Sequence, residues 1–218
     1  MTDKIALVTG ASRGFGAAVA EALAGAGYHV IAVARTVGAL EELDDRIKAK
    51  GGSATLVPLD ITDDVGLANL CRSVYERWGK VDLWLHSAIF ACQLSPAAHV
   101  PVTDWDKSLA VNIRTTQRLI TMVEPLLAAA GQARAVLPVE TDVAGRKFMA
   151  AHGASKAAQQ AIWDSWAAES TTRPLEILSF APNPMPTALR ARFYPGEKRD
   201  TLADPNTEAK RLMDFLAI

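Results

Sequence analysis

The segment Thr9-Gly10-Ala11-Ser12-Arg13-Gly14-Phe15-Gly16 places three glycines at a spacing suited to holding a phosphate. Backbone N–H groups at the start of a helix, together with the helix dipole, attract anions. One glycine makes a tight turn, one lets the main chain approach a pyrophosphate, and one lets a helix pack closely on a strand. Glycines also simply close turns, so the motif gains its weight from a strand before it and a helix after it. Arg13 projects from this loop, and Arg35 ends the next apolar run. A dinucleotide site that prefers NAD presents an acidic residue there to the ribose 2′-OH. Two guanidinium groups instead match a 2′-phosphate in charge and fork geometry, which points to NADP(H). Both arginines would also be at home as solvated surface charges. His152 stands four residues before Lys156, with Asp142 upstream. Imidazolium is a competent proton donor near neutral pH. The ammonium of Lys156 disfavours that charged form, whereas the carboxylate of Asp142 would restore it and orient the ring as an Asp–His dyad. The same histidine would also serve simply to fill space, and Tyr194 is a third candidate donor.

These groups need a scaffold, and the apolar runs outline one. Lys4 to Thr9 is a short apolar run ending at a glycine, the mark of a strand buried on both faces. Val19, Ala20, Leu23 and Ala24 then recur at helical spacing until Gly25 and Gly27 stop them. His29 to Ala34 reads as a second buried strand. The alternation continues with helices over 40–48, 64–78, 105–130 and 153–170, and strands over 54–58, 81–86, 135–139 and 176–180. A last helix covers 206–216. Helices alternating with short apolar strands build crossover units around a parallel sheet. The expected fold class is therefore α/β, a doubly wound parallel sheet of Rossmann type. The segment 182–204, rich in Pro and Arg, shows no element and is long enough to form a substrate lid.

Composition narrows the remaining classes. A chain of 218 residues, half of them hydrophobic, is expected to build a single domain over 1–218. Its net charge of -1, with Lys and Arg spread along the chain, offers no basic stripe for nucleic acid. No apolar run approaches the roughly 20 residues that a membrane-spanning helix needs. The first residues show no basic segment followed by an apolar run and a cleavage site, so a cytoplasmic protein without a membrane partner is expected. Cys71 and Cys92 lack CxxC spacing and sit in no Cys/His cluster, so no metal is expected. His29 and His99 read as structural.

The pattern Thr-Gly-x-x-x-Gly-x-Gly, with Arg35, resembles the cofactor signature of the classical short-chain dehydrogenase/reductases. Leu59-Asp60-Ile61 resembles the family's adenine contact, Leu109-Ala110-Val111-Asn112 its helix-borne asparagine, and Ser155-Lys156 its Ser-Lys pair. Ala181-Pro182-Asn183-Pro184-Met185-Pro186-Thr187 resembles its Pro-Gly-x-x-x-Thr segment, with Asn183 in place of glycine. The resemblance implies a cofactor-binding set of Gly10, Ser12, Arg13, Gly14, Phe15, Gly16, Arg35, Thr36, Asp60, Ile61, Ala88, Lys156, Pro182 and Thr187. It also implies an oxidoreductase acting on a small carbonyl or alcohol, and a homodimer paired through helices 105–130 and 153–170. Trp163 and Trp166 on the latter helix are expected in the core or in that interface.

Four departures qualify the resemblance. The family's tyrosine, whose pKa its lysine lowers, is replaced by His152. Its carbonyl-orienting serine is missing, with Thr141-Asp142 standing before Val143-Ala144-Gly145. The Asn-Asn-Ala-Gly that ends the family's fourth strand reads His86-Ser87-Ala88-Ile89. The family's last strand is lacking, so about six strands are expected. Loss of a general acid costs about 10²–10⁴ in rate. The expected catalytic set is Lys156, Asn112, His152 and Asp142, acting in an NADP(H)-dependent oxidoreductase with an atypical site. The alternatives are a cofactor-binding protein without turnover, and a non-redox enzyme that uses His152 or Asp142 for proton transfer.

Overall fold

Alternate residues of a strand face opposite sides of its sheet, and here both sides are covered. In the computed structural model, which describes residues 4–218, β1 (Lys4–Thr9) sends Ala6 and Val8 to one apolar cluster and Ile5 and Leu7 to another. The remaining strands are β2 (Tyr28–Ala34), β3 (Ser53–Pro58), β4 (Leu83–His86), β5 (Ala133–Pro138) and β6 (Leu175–Phe180). They form one parallel sheet in the order β3-β2-β1-β4-β5-β6. Helices α1 (Gly14–Gly25), α2 (Val37–Ala49) and α8 (Pro205–Phe215) cover one face. Helices α3 (Asp64–Trp78), α5 (Thr115–Ala128) and α6 (Ala150–Glu169) cover the other. The order reverses between β1 and β4, the point at which ligands bind outside the carboxyl ends of such sheets. There Thr9 lies in register with His86.

The expected long helix over 105–130 is not uniform. It starts earlier, as α4 (Val102–Ser108), widens into a π-helical turn over Leu109–Arg114, and continues as α5. The wide turn carries Asn112, and such turns recur where a helix must aim a side chain into a site. Likewise α6 begins at Ala150 rather than at 153, which brings His152 inside its first turn. Trp163 and Trp166 pack against Trp84 with ring centroids 5.4 and 6.0 Å away, so both belong to the core of this chain rather than to an exposed interface. Each such side chain, fully buried, is worth roughly 1.5–3 kcal/mol or more.

The stretch 182–204 is not without structure. It folds into the short helix α7 (Ala188–Phe193) and a 3-10 turn over Arg199–Thr201. Thr187 caps α7 by accepting from the Arg190 N–H, the pattern expected of a threonine at a helix start. The base of the stretch is tied to α8, whose Glu208 carboxylate accepts from the backbone N–H and side-chain amide of Asn183 at 2.9 and 2.8 Å.

Candidate functional site

The glycine loop is held tightly by its surroundings. Gly10 has φ +83, and a Cβ there would stand 2.6 Å from the Ala88 nitrogen. A Cβ at Gly16 would collide with the Gly10 carbonyl and the Ser87 hydroxyl, so this glycine lets α1 lie against the ends of β1 and β4. Gly14, with φ +58, faces Thr187, whose methyl carbon would be 3.2 Å from an added Cβ. The loop and the Thr187 segment thus form two walls that only glycine leaves apart. At the start of α1 the capping residue Arg13 makes no side-chain cap, so the first-turn N–H groups have no side-chain acceptor. That cradle fits a pyrophosphate. The ring of Phe15, placed by sequence among the cofactor residues, instead turns into the core and stacks on Phe180 at 5.9 Å.

Around this cradle lie the cations. Arg13 and Arg35 are both exposed, at the ends of β1 and β2. Arg35 stands 3.8 Å from the carboxylate of Asp60. Burial alone would raise the pKa of Asp60, but two hydrogen bonds from Thr62 and the charge of Arg35 hold it below the usual carboxylate range. Thr36 precedes α2 with its hydroxyl uncommitted to the helix, and Ile61 is buried beside Asp60. Ala88 backs Gly10, and Pro182 begins the segment that reaches Thr187.

Inside the cleft the polar groups converge from β4, the π-helical turn, β5 and α6. Asn112 is fully buried. Its amide donates to the Phe90 carbonyl at 2.9 Å and to the Ser155 hydroxyl at 3.0 Å, and its oxygen accepts from the Phe90 N–H at 2.8 Å. It therefore clips the chain after β4 onto α6. Lys156 is 7% exposed. Its ammonium donates to Gln159 Oε1 at 2.6 Å and to the Pro138 carbonyl at 3.3 Å. Burial pulls its pKa down to about 8, opposed by the charge of Glu140.

His152 is only 1% exposed, and its acidic partner is not the expected Asp142. Nε2 of the ring lies 3.2 Å from Oε1 of Glu140, two residues past the end of β5, while Asp142 is exposed farther along the connection. Matching Thr141-Asp142 to the family by way of Val143-Ala144-Gly145 put the acid in the wrong place; counting from the end of β5 finds Glu140. Burial would raise the pKa of Glu140, yet the hydrogen bond and charge of His152, with Lys156 and Arg190, bring it below its ordinary value. The other ring nitrogen of His152, Nδ1, is buried without a partner.

The ring of Phe193 from α7 covers His152 at 4.8 Å. Phe193 packs in turn with Ala91, Val143 and Met149, and Arg192 donates to the Ala91 carbonyl. The hydroxyl of Tyr194 accepts from Arg146 at 2.6 Å. It is thus Phe193, and not Tyr194, that meets the imidazole. Sequence reasoning did not single out Glu140, Gln159, Thr116 or Phe193; Gln159 lies one turn after Lys156, the only signal for it.

No group of three or more His, Cys, Asp or Glu among the described residues could hold a metal ion. No helix among them is long and apolar enough to cross a membrane.

Comparison with known proteins agrees with this fold. Residues 4–198 match the family described as short chain dehydrogenase. The chain is 30% identical over 209 residues to the glycine betaine reductase ATRR of Emericella nidulans, covering 94% of this chain but 16% of that protein. It is 28% identical over 203 residues to the D-threitol dehydrogenase of Mycolicibacterium smegmatis, covering 93% of this chain and 78% of that one. Among solved structures, a metagenomic short-chain oxidoreductase in complex with NADP superposes with a TM-score of 0.83 at 26% identity, over 98% of this chain and 90% of that one.

Proposed function

The chain belongs to the short chain dehydrogenase family of oxidoreductases, and from that premise we propose that it is an NADP(H)-dependent enzyme acting on a small carbonyl or alcohol, with a Glu140–His152 pair as its proton donor. The observation that carries this reading is the convergence of the glycine cradle, Lys156 and His152 at the carboxyl ends of β1, β4 and β5. Arg13 and Arg35 flank the place where a 2′-phosphate would lie, and a solved relative holds NADP. When bound, NADPH supplies the hydride that reduces a carbonyl carbon. The chain must then give a proton to the carbonyl oxygen. Glu140 engages Nε2 of His152 and fixes the ring, which leaves Nδ1 as the atom that hands over the proton. Lys156 uses two N–H bonds within the protein and keeps a third for a cofactor or substrate oxygen.

The segment 182–204 acts as the lid of this single domain, because Phe193 must leave His152 before a substrate can reach it. The outer faces of α5 and α6, in place of the expected helices 105–130 and 153–170, pair two copies into a homodimer. A second reading, cofactor binding without turnover, is favoured by the depth at which His152 lies. One experiment separates them. Protein is mixed with NADPH and a panel of small aldehydes and ketones, and nicotinamide absorbance is followed beside calorimetric binding. Oxidation of NADPH supports the reductase; tight binding with no oxidation on any substrate supports the second reading; no binding overturns both.

A further inference from the structure

A hydroxyl has one proton to give and two lone pairs to fill, and the Thr116 hydroxyl has used all three. Its proton goes to the Asn112 carbonyl at 2.8 Å. Its lone pairs take the amide nitrogen of Gln159 at 2.9 Å and Nε2 of His86 at 3.0 Å. With the Thr116 proton on that carbonyl, the set closes when His86 carries its proton on Nε2 and its Nδ1 accepts from the Thr9 hydroxyl at 2.8 Å, the shorter of the two contacts of that hydroxyl, the other being the Leu85 carbonyl at 3.4 Å. Burial, with the nearby charge of Lys156, pulls the His86 pKa down to about 3, so the ring is neutral at any working pH. With its nitrogen committed to Thr116, the Gln159 amide has one orientation left. Its oxygen faces Lys156, at 2.6 Å. The flipped amide would set an NH₂ against an ammonium.

We propose that Gln159 is a positioning residue for Lys156: fixed through Thr116 by the neutral ring of His86, its oxygen clamps the lysine as an ammonium beside the cofactor cradle. The proposal rests on the reading of Lys156 as part of an NADP(H) site and adds how that lysine is kept charged. The side chains facing the ammonium are Glu140 beyond β5, His86 on β4, and Gln159 on α6, with His152 one turn earlier, and the Pro138 carbonyl stands at 3.3 Å. Glu140 is the only anion among them, and it is shared with His152. A neutral oxygen close to the ammonium therefore supplies support that burial otherwise removes, since a hydrogen bond to a charged group is worth more than one between neutral partners. Above its midpoint Lys156 becomes an uncharged amine, and the site loses the cation whose third N–H is open to a cofactor oxygen.

The test is a lysine titration of the cofactor-free protein, read from ¹³C-labelled lysine side chains and assigned with Lys156→Arg. In the wild type the Lys156 signal should titrate near pH 8. In Gln159→Met, which keeps the length and removes the oxygen, the midpoint should fall by about one pH unit or more. In Gln159→Glu it should rise. The alkaline loss of NADPH affinity, followed by calorimetry, should move in the same directions. A midpoint that stays where it was in folded Gln159→Met overturns the clamp. If Gln159→Met does not fold, Gln159→Asn, which keeps the amide but withdraws it by one methylene, must show the same fall. A wild-type protein whose Lys156 shifts as described but which takes up no NADPH at any pH leaves the clamp standing and overturns the cofactor reading instead.

Discussion

Nε2 of His152 lies 3.2 Å from Oε1 of Glu140, while Nδ1 of the same ring is buried with no partner. A carboxylate on one ring nitrogen fixes which nitrogen works on the substrate. His152→Ala should lower turnover by about 10²–10⁴, the usual worth of a general acid. Glu140→Gln should cost about 10-fold or more, whereas Asp142→Asn, at an exposed position, should leave turnover unchanged. Initial rates of NADPH oxidation decide this. A fully active Glu140→Gln would remove the dyad from the mechanism.

The paired cations make a discrimination test. Arg13→Ala and Arg35→Ala should each weaken NADPH binding by about 10–100-fold, the loss of one charge-assisted interaction, and leave NADH binding nearly unchanged. Arg35→Ala should also release Asp60, which stands 3.8 Å from it. Calorimetry with both cofactors reads the ratio. An equal fall for NADH and NADPH would show that neither arginine meets the 2′-phosphate.

Two glycines can be separated from the rest by sterics. Gly16→Ala would drive a methyl into the Gly10 carbonyl, and Gly10→Ala would add a positive-φ strain to a 2.6 Å clash with Ala88. Each should cost about 1–3 kcal/mol and lower the melting temperature by roughly 2–4 °C per kcal/mol. Gly145→Ala, with φ +76 but nothing near its Cβ, should carry the conformational cost alone. Thermal melts that rank Gly145→Ala as the most damaging would contradict the packing described.

Stability should depend on His86 below neutrality. Its folded pKa of about 3 lies below its ordinary 6.5, so the unfolded chain binds the proton more readily. The neutral ring's contribution is therefore complete above about 6.5 and is lost as pH falls from there toward 3. Between pH 6.5 and 5.0 the loss amounts to about 2 kcal/mol. His86→Gln should flatten that slope in urea melts relative to wild type. Parallel slopes for the two proteins would mean that other groups dominate this window.

The sheet was readable because strands buried on both faces are near-continuous apolar runs. Lys4–Thr9 and the start of α3 at Asp64 stand where the pattern places them. The π-helical turn at Leu109–Arg114 was not readable, because its residues keep an ordinary helical composition, while Asn112 within it bonds across to Ser155. α7 escaped notice because Ala188–Phe193 is too short for a periodic signal and sits among prolines. The site divides the same way. Of the residues singled out by pattern, Gly10 and Gly16 pack against Ala88 and Ser87 just past β4, and Asn112 and Lys156 are tied to the chain past β4 and to the end of β5. Glu140 was hidden by a register problem: matching Val143-Ala144-Gly145 to the motif points to Asp142, while the chain presents the earlier Glu140 to His152. Gln159 and Thr116 are ordinary helix residues until β4 brings His86 between them and Thr9.

Asn183 stands where the family resemblance expects glycine, and its partner explains what the larger side chain does. Glu208 on α8 is 1% exposed, accepts two hydrogen bonds from Asn183, and pairs with Arg211 at 3.3 Å. The carboxylate thus anchors the first residues of 182–204, whose middle carries Phe193 over His152. Glu208→Ala leaves an amide and a backbone N–H without their acceptor and should cost about 1–3 kcal/mol. Asn183→Gly keeps the backbone bond and loses one, so it should cost less. Because the anchor acts on this segment, protease should cut Glu208→Ala first within 182–204, and NADPH should slow that cut by holding Thr187 against the cradle. Mass spectrometry of the first fragments checks both points. Cleavage elsewhere first, with 182–204 as resistant as in wild type, would show that the segment keeps its place without the α8 anchor.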